Sequence, residues 1–288
     1  MTMKHATIYI SVDMEGVAGV VSWEHTGKEG GHEFDRARKL MTGEVNAAIE
    51  GAFAGAGDGV ELTVIVNDAH GGMRNLLLEE LDPRAMLISG GPKRLGMMEG
   101  INASVSAAIL VGYHSMASSR GVLAHSYYPG LVQLEYAGTP IGELALSAYS
   151  AGYFGVPVIA VTGDDEVAKE ATGLIPGVET ITVKWTAGRL AATCLSPARS
   201  RERIASGVKR AVMGHLLSPK VAPLVPGRPS SFRLRFANAS MADAAALLPG
   251  SVREDPLTVS YVHEDYLEAL RGARVMMAIA ASIPGDPY

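Results

Sequence analysis

Residues 7–20 read "TIYISVDMEGVAGV". A β-branched, apolar run stops at Asp13, with Glu15 two residues further on and Gly16 directly after it. Ile, Val, Thr and Tyr suit a pleated, buried strand, whereas acids are poor strand formers and costly to bury without a partner. The stretch therefore reads as a strand whose carboxyl end carries two carboxylates. Either they are solvated in a turn, or something positive holds them there.

The same texture recurs outward from this point. "DRARKLMTGEVNAAIEGAFAGA" (35–56) predicts a helix with Asp35 at its N-cap, and "VELTVIVND" (60–68) a second strand. "NLLLEELDPRAMLIS" (75–89) predicts a short helix and a strand parted by Pro83, and "SAAILVGYH" (106–114) another buried strand. A helix starting near Glu143 leads into the strand "VPVIAVTGDD" (156–165). Buried apolar strands alternating with helices predict an α/β fold, a mostly parallel sheet flanked by helices. Between 121 and 142 two strands with turns at Pro129-Gly130 and Ala137-Gly138 predict an antiparallel excursion beside that sheet. Beyond about 185 come a basic helix at 197–217, the alternating strand "SFRLRFAN" (231–238), a helix at 240–248, strands at 251–262 and a terminal helix at 264–281. The expected division is a catalytic, metal-binding α/β domain over 1–185 and a smaller C-terminal α+β domain over 186–288.

Composition bounds the function. The chain has 288 residues, 48% of them hydrophobic and 19% charged, enough apolar material for a sizeable core. A formal net charge of −5 argues against a nucleic-acid surface. One cysteine, Cys194, excludes an internal disulfide framework and fits a reducing, cytoplasmic setting. The apolar stretch ahead of Asp13 is too short for a secretory signal, and no apolar run is long enough to span a membrane.

In a parallel sheet, functional side chains gather at the carboxyl ends of strands. Asp13 and Glu15 lie there after the first strand, His70 after the second in "VNDAHGG", and His114 after a later one in "LVGYHS". Glu143 opens the helix "GELALSAY". Two histidines with three carboxylates make a donor set for one or two divalent transition metals. One carboxylate can bridge two such ions about 3.5–4 Å apart. Each residue also has a plain reading: Asp13 and Glu15 as a solvated turn, His70 as a cap, His114 as a donor to a carbonyl, Glu143 as a favourable charge on a helix dipole. Gly16, Gly71 and Gly72 permit close approach or serve as turn glycines. His125, in "AHSYYPG", is an active-site base or a hydrogen-bonding strand residue. Asp164 and Asp165 read as N-caps, and Cys194 as a small packed residue. "GGPKRLG" (90–96) has the makings of an anion cradle but lacks Walker spacing, and the glycine-rich loop "VSWEHTGKEGGHEF" (21–34) is expected to border a site.

Taken in order, "SVDMEG", "NDAHGG", "GYHS", "AHS" and "GELALSAYSAGY" resemble the zinc D-aminopeptidases of the DppA family, and "GDD", "CLSPA" and "FAN" extend the likeness from about residue 7 past 238. The resemblance implies a metal-dependent aminopeptidase with two zinc ions per chain, acting on short peptides such as D-Ala-D-Ala. Asp13 would bridge the ions, Glu15 and His114 would complete one site, His70 and Glu143 the other, and His125 would be catalytic. It also implies a homo-oligomeric ring of two stacked pentamers, a decamer. Three other readings stay open: an L-selective aminopeptidase or other two-metal hydrolase on the same scaffold, a non-catalytic peptide-binding protein of dipeptide uptake, and a site filled by manganese or another divalent ion.

Overall fold

The opening β-branched run forms β1 (Lys4–Val12) in a computed structural model that describes residues 4–283. α1 (His32–Ala56) leads to β2 (Val60–Asp68), and β3 (Ala85–Ile88) and β4 (Ala107–Tyr113) follow. The hairpin of β5 (Leu131–Tyr136) and β6 (Thr139–Pro140) feeds α2 (Glu143–Tyr153) and then β7 (Val158–Asp164). Next come α3 (Asp165–Leu174), β8 (Glu179–Gly188), β9 (Ala191–Cys194) and α4 (Pro197–Leu217). β10 (Ser230–Phe236), α5 (Ala239–Ala245), β11 (Val252–Asp255), β12 (Thr258–His263) and α6 (Tyr266–Ala281) complete the chain.

The main sheet has the order β3-β2-β1-β4-β7-β8-β9, and only β9 runs antiparallel to its neighbour. The chain moves outward from β1 through β2 and β3, then returns to lay β4 on the other flank of β1. Between β1 and β4 the order reverses, and side chains at the carboxyl ends of those two strands face a common crevice. Register brings the ends level: Val12 pairs with both Asp68 and Val111.

Both faces of the sheet's centre are covered, which explains why β1, β4 and β7 are buried along almost their whole length. Ile8, Ile10 and Val12 pack with Met41, Val45 and Ile49 of α1 and with Ile204, Val208 and Val212 of α4. These helix positions recur at four-residue spacing, the pattern that buries one stripe. Tyr9, Ala108 and Leu110 point the other way, onto Leu144 and Ala148 of α2 and Val167 and Ala171 of α3.

The second sheet, β11-β12-β10-β5-β6, is antiparallel and covered by α5 and α6. β10 buries Phe232, Leu234 and Phe236 and turns Arg233 and Arg235 outward, as its alternation predicts. α2 serves both units: Leu144, Ala148 and Ala151 pack beneath the main sheet, and Ala145 and Leu146 belong to the second core.

Several expectations are corrected. The strand pair at 131–140 joins the second sheet, because β5 pairs with β10 about a hundred residues later. The change near 185 is not a change of sheet, since β8 runs through it and β9 and α4 stay with the first unit. α1 begins at His32 with Gly31 at its N-cap, leaving Glu33 and Asp35 in the first turn. The helix expected after Asn75 is only a 3-10 turn at Leu78–Glu80, because the Asp68 carboxylate takes the Asn75 and Leu76 N–H groups and Pro83 bars extension.

Candidate metal centre

β1 ends at Val12, but its backbone keeps bonding to β4. The Asp13 N–H donates to the Val111 carbonyl at 2.8 Å and the Gly16 N–H to the Gly112 carbonyl at 2.7 Å. The approach is so close that a Cβ on Gly16 would lie 2.0 Å from the Tyr113 oxygen, while one on Gly112, whose φ is +69°, would lie 2.3 Å from the Asp13 oxygen. Only glycine fits at either place. Gly71 and Gly72 have open space around them and are turn glycines. The paired glycines thus bring the carboxylates after β1 against the histidine after β4.

Asp13, Glu15, His70, His114, His125 and Glu143 are all buried and lie together. Nδ1 of His70 is 3.0 Å from both Asp13 Oδ1 and Glu15 Oε2. Nε2 of His114 is 3.4 Å from both Asp13 Oδ2 and Glu143 Oε1. Nε2 of His125 is 3.9 Å from Glu15 Oε1 and 3.8 Å from Glu143 Oε1. Donor atoms of Asp13, Glu15 and His114 fall within 4.8 Å of one another, and those of His114, His125 and Glu143 form a second such group.

Each imidazole is aimed by its other nitrogen. His70 donates from Nε2 to the Thr26 carbonyl at 2.7 Å, His114 from Nδ1 to Ser115 O at 2.9 Å, and His125 from Nδ1 to Leu123 O at 2.9 Å. A backbone carbonyl on one nitrogen that turns the other toward a centre is the usual support of a metal-ligating histidine. Asp13 Oδ2 and His114 Nε2 are buried with no well-formed hydrogen bond, and Glu15 Oε2 has only His70 Nδ1 beside it, off the hydrogen-bond direction. Such orphans are costly unless a cation satisfies them. Donor chemistry and unsatisfied atoms therefore fit divalent metal ions, with oxygen and imidazole ligands suited to zinc.

Electrostatics agrees. Burial and then the charge of Glu15 push the Asp13 carboxyl up to about 7. Burial opposes charge on His114 too, but Glu143 and Asp13 draw its pKa up to about 10. This pocket is short of positive charge. His125 differs: burial and then the charge of His114 hold its pKa below the ordinary imidazole value. Its ring stacks on His114 at 4.3 Å, and Trp23 meets it edge-on at 5.3 Å. Trp23 and Thr26 line the cavity of about 280 Å³ above these residues, so the loop 21–34 does border the site.

Sequence reasoning missed the supports. The Nζ of Lys184, fully buried on β8, donates to the carbonyls of Glu15, Val17 and Val20 and so clamps the loop that carries Glu15. Asp68 holds the His70 loop through Asn75, whose amide also donates to the His70 carbonyl at 2.7 Å. Their only sequence signal is a lysine inside an apolar strand and an acid at a strand's last position. Asp164 caps α3 as expected and also accepts from the Val122 N–H at 2.8 Å, fixing the segment before His125. Cys194 is half-buried and free at the end of β9, opposite Lys184 in the β8–β9 pairing.

The profile of the M55 peptidase family, described as D-aminopeptidase, matches residues 6–275. A D-aminopeptidase of Bacillus subtilis (strain 168) is 40% identical over 277 residues, covering 95% of this chain and 97% of that one. The solved structure of a Zn-dependent D-aminopeptidase, DppA from Bacillus subtilis, described as a self-compartmentalizing protease, superposes with a TM-score of 0.91 at 38% identity. It covers 97% of this chain and 100% of its own. Among the described residues no helix is long and apolar enough to cross a membrane.

Proposed function

We propose, because this chain belongs to the D-aminopeptidase family, that it is a dinuclear zinc aminopeptidase that removes the N-terminal residue of short peptides, preferring D-residues as in D-Ala-D-Ala. The observation that carries the metal part is the convergence of three carbonyl-anchored imidazoles and three buried carboxylates on one crevice, with orphaned atoms among them. Asp13 would be shared between the ions, Glu15 and His114 would complete one set, and His70 and Glu143 the other. The grouping of Asp13, Glu15 and His114 within 4.8 Å supports the first set. Three carboxylates nearly balance two divalent cations. Manganese or another divalent ion is the alternative occupant.

When bound, the cations supply Lewis acidity toward a carbonyl oxygen and acidify water. The chain's own residues do the rest. Glu15 and Glu143 line the cavity, and a carboxylate oxygen not taken by a metal ion attracts the free amine of a peptide, which restricts cleavage to the first residue. His125 is the proton carrier. Burial disfavours its charged form, its Nδ1 proton is committed to Leu123 O, and so Nε2 faces the centre as an acceptor. Trp23 packs against that ring and shields it from bulk water. A self-compartmentalizing relative supports assembly into a homo-oligomeric ring, a decamer, and a single free cysteine supports a cytoplasmic setting.

Elemental analysis of the purified protein is expected to return two zinc ions per chain. Chelation should abolish hydrolysis of D-Ala-D-Ala, and zinc should restore it. Turnover that survives complete metal removal would sink the reading, and equal turnover of L-Ala-L-Ala would remove the stereochemical part. Light scattering at the mass of a single chain would remove the ring.

A further inference from the structure

A second cavity, of about 490 Å³, adjoins the metal centre and shares Met73, Tyr127 and Tyr128 with it. Much of its lining is apolar surface of α6, from Val275, Met277, Ala278 and Ala281. The same lining includes Arg94, Arg271 and Arg274. In a chain of net charge −5, beside a pocket of three carboxylates, this clustering of cations is local and asymmetric.

The three arginines are not equivalent. Arg274 is committed: it donates to the Arg94 carbonyl at 2.8 Å and to the Lys93 carbonyl at 3.1 Å. Lys93 turns inward, its Nζ donating to Asn67 Oδ1 at 2.8 Å and Asp68 O at 2.6 Å. The basic pair of "GGPKRLG" is therefore held by α6 on one side and by the end of β2 on the other. Arg94 projects from that fixed backbone with an exposed side chain that makes no hydrogen bond or ion pair among the described residues. Arg271 pairs with Glu268 on its own helix. The Tyr128 hydroxyl, on the stretch common to both cavities, is buried without a partner.

A short peptide is a zwitterion, with an amine at one end and a carboxylate at the other. A centre whose carboxylates and metal ions would seat the amine end, beside a groove that carries arginines, matches that pattern. We propose that the groove receives the C-terminal part of the peptide substrate, with an apolar last side chain resting on α6 and the free α-carboxylate held by Arg94, with Arg271 as the second cation. The inference rests on the aminopeptidase reading and narrows its substrate class to short peptides with a free C-terminus and an apolar last residue. The fixed backbone at Arg94 reduces the ordering cost of binding there.

The test compares kcat/KM of the zinc-loaded full chain on D-Ala-D-Leu and on its C-terminal amide. A charge-assisted contact of this kind predicts a preference for the acid of about tenfold, carried mainly by KM. Arg94→Gln should shrink the acid-to-amide ratio, and Arg94→Gln with Arg271→Gln should bring it close to one. A ratio near one in the wild type, or an unchanged ratio in the double variant, overturns the proposal. So does an Arg94→Glu variant whose particle size changes in light scattering, because the groove would then be an interface between copies. Failure to cleave either peptide overturns the peptidase reading itself, whereas equal cleavage of the two overturns only the groove.

Discussion

Replacing Gly16 with alanine tests the backbone geometry on which the metal centre depends. The new Cβ would stand 2.0 Å from the Tyr113 oxygen and 2.5 Å from the Gly112 carbonyl carbon. Ordinary non-bonded contact is about 3.5 Å, so the segment after β1 and the end of β4 must part by more than about 1 Å. Both obstructing atoms are backbone, which a rotamer change cannot relieve. The overpacking costs about 1–3 kcal/mol, and loss of the Gly16 to Gly112 hydrogen bond adds about 1 kcal/mol. Stability should fall by about 2–4 kcal/mol, which a large core tolerates. Metal binding should suffer more, because ligand distances hold only within about 0.2 Å. The measurement is zinc per chain alongside a thermal melt, with Gly72→Ala as control, where the added Cβ meets nothing within 4 Å. A Gly16→Ala protein with full zinc and unchanged melting would refute the reasoning. So would a Gly72→Ala protein that loses zinc equally.

Two further outcomes follow from groups with opposite tasks. His125→Ala should keep both metal ions and lose most turnover, at least about a hundredfold, since a positioned proton carrier contributes that much; loss of a metal ion instead would make it a ligand. Glu44, on α1, accepts from the Ala18 N–H and from Ser200, but its other oxygen is buried without a partner, and burial raises its pKa. A carboxyl whose folded pKa is raised binds its proton more tightly in the folded state. Its contribution to stability therefore falls as pH climbs from the ordinary carboxylate range through the raised value. Glu44→Gln should stabilise the protein by about 1 kcal/mol at neutral pH, with the gain fading on acidification. Denaturant midpoints across pH would show it, and a gain that persists in acid would contradict it.

Local pattern was enough to find β1, β2, β4, β7 and α4, because strands buried on both faces are unbroken apolar runs and α4 has a cap, a proline and a stripe of its own. The same pattern exposed Asp13, Glu15, His70 and His114, since polar groups directly after such runs stand out. What it withheld was partnership across long separations. That β5 belongs with β10 depends on pairing, which local alternation does not encode. That β1 and β4 are neighbours is set by a crossover, and only this neighbourhood joins Asp13 to His114. Lys184 and Glu44 look like surface charges, because their burial is created by segments far away. Gly16 resembled Gly72 until its distance to Tyr113 separated them.

The lysine clamp has a bearing on synthesis. Every proposed ligand lies at or before Glu143, so a growing chain presents the whole donor set well before it is finished. The ammonium that fixes the Glu15 loop arrives later, 169 residues after Glu15, on a strand that must itself dock beyond β7. Until then the loop is tied to β4 at Asp13 and Gly16, while the carbonyls of Glu15, Val17 and Val20 lack the donor that fixes them. Zinc capture should therefore lag behind emergence of the ligands from the ribosome, with stalled chains ending after Glu143 remaining metal-free and those ending after α4 able to load.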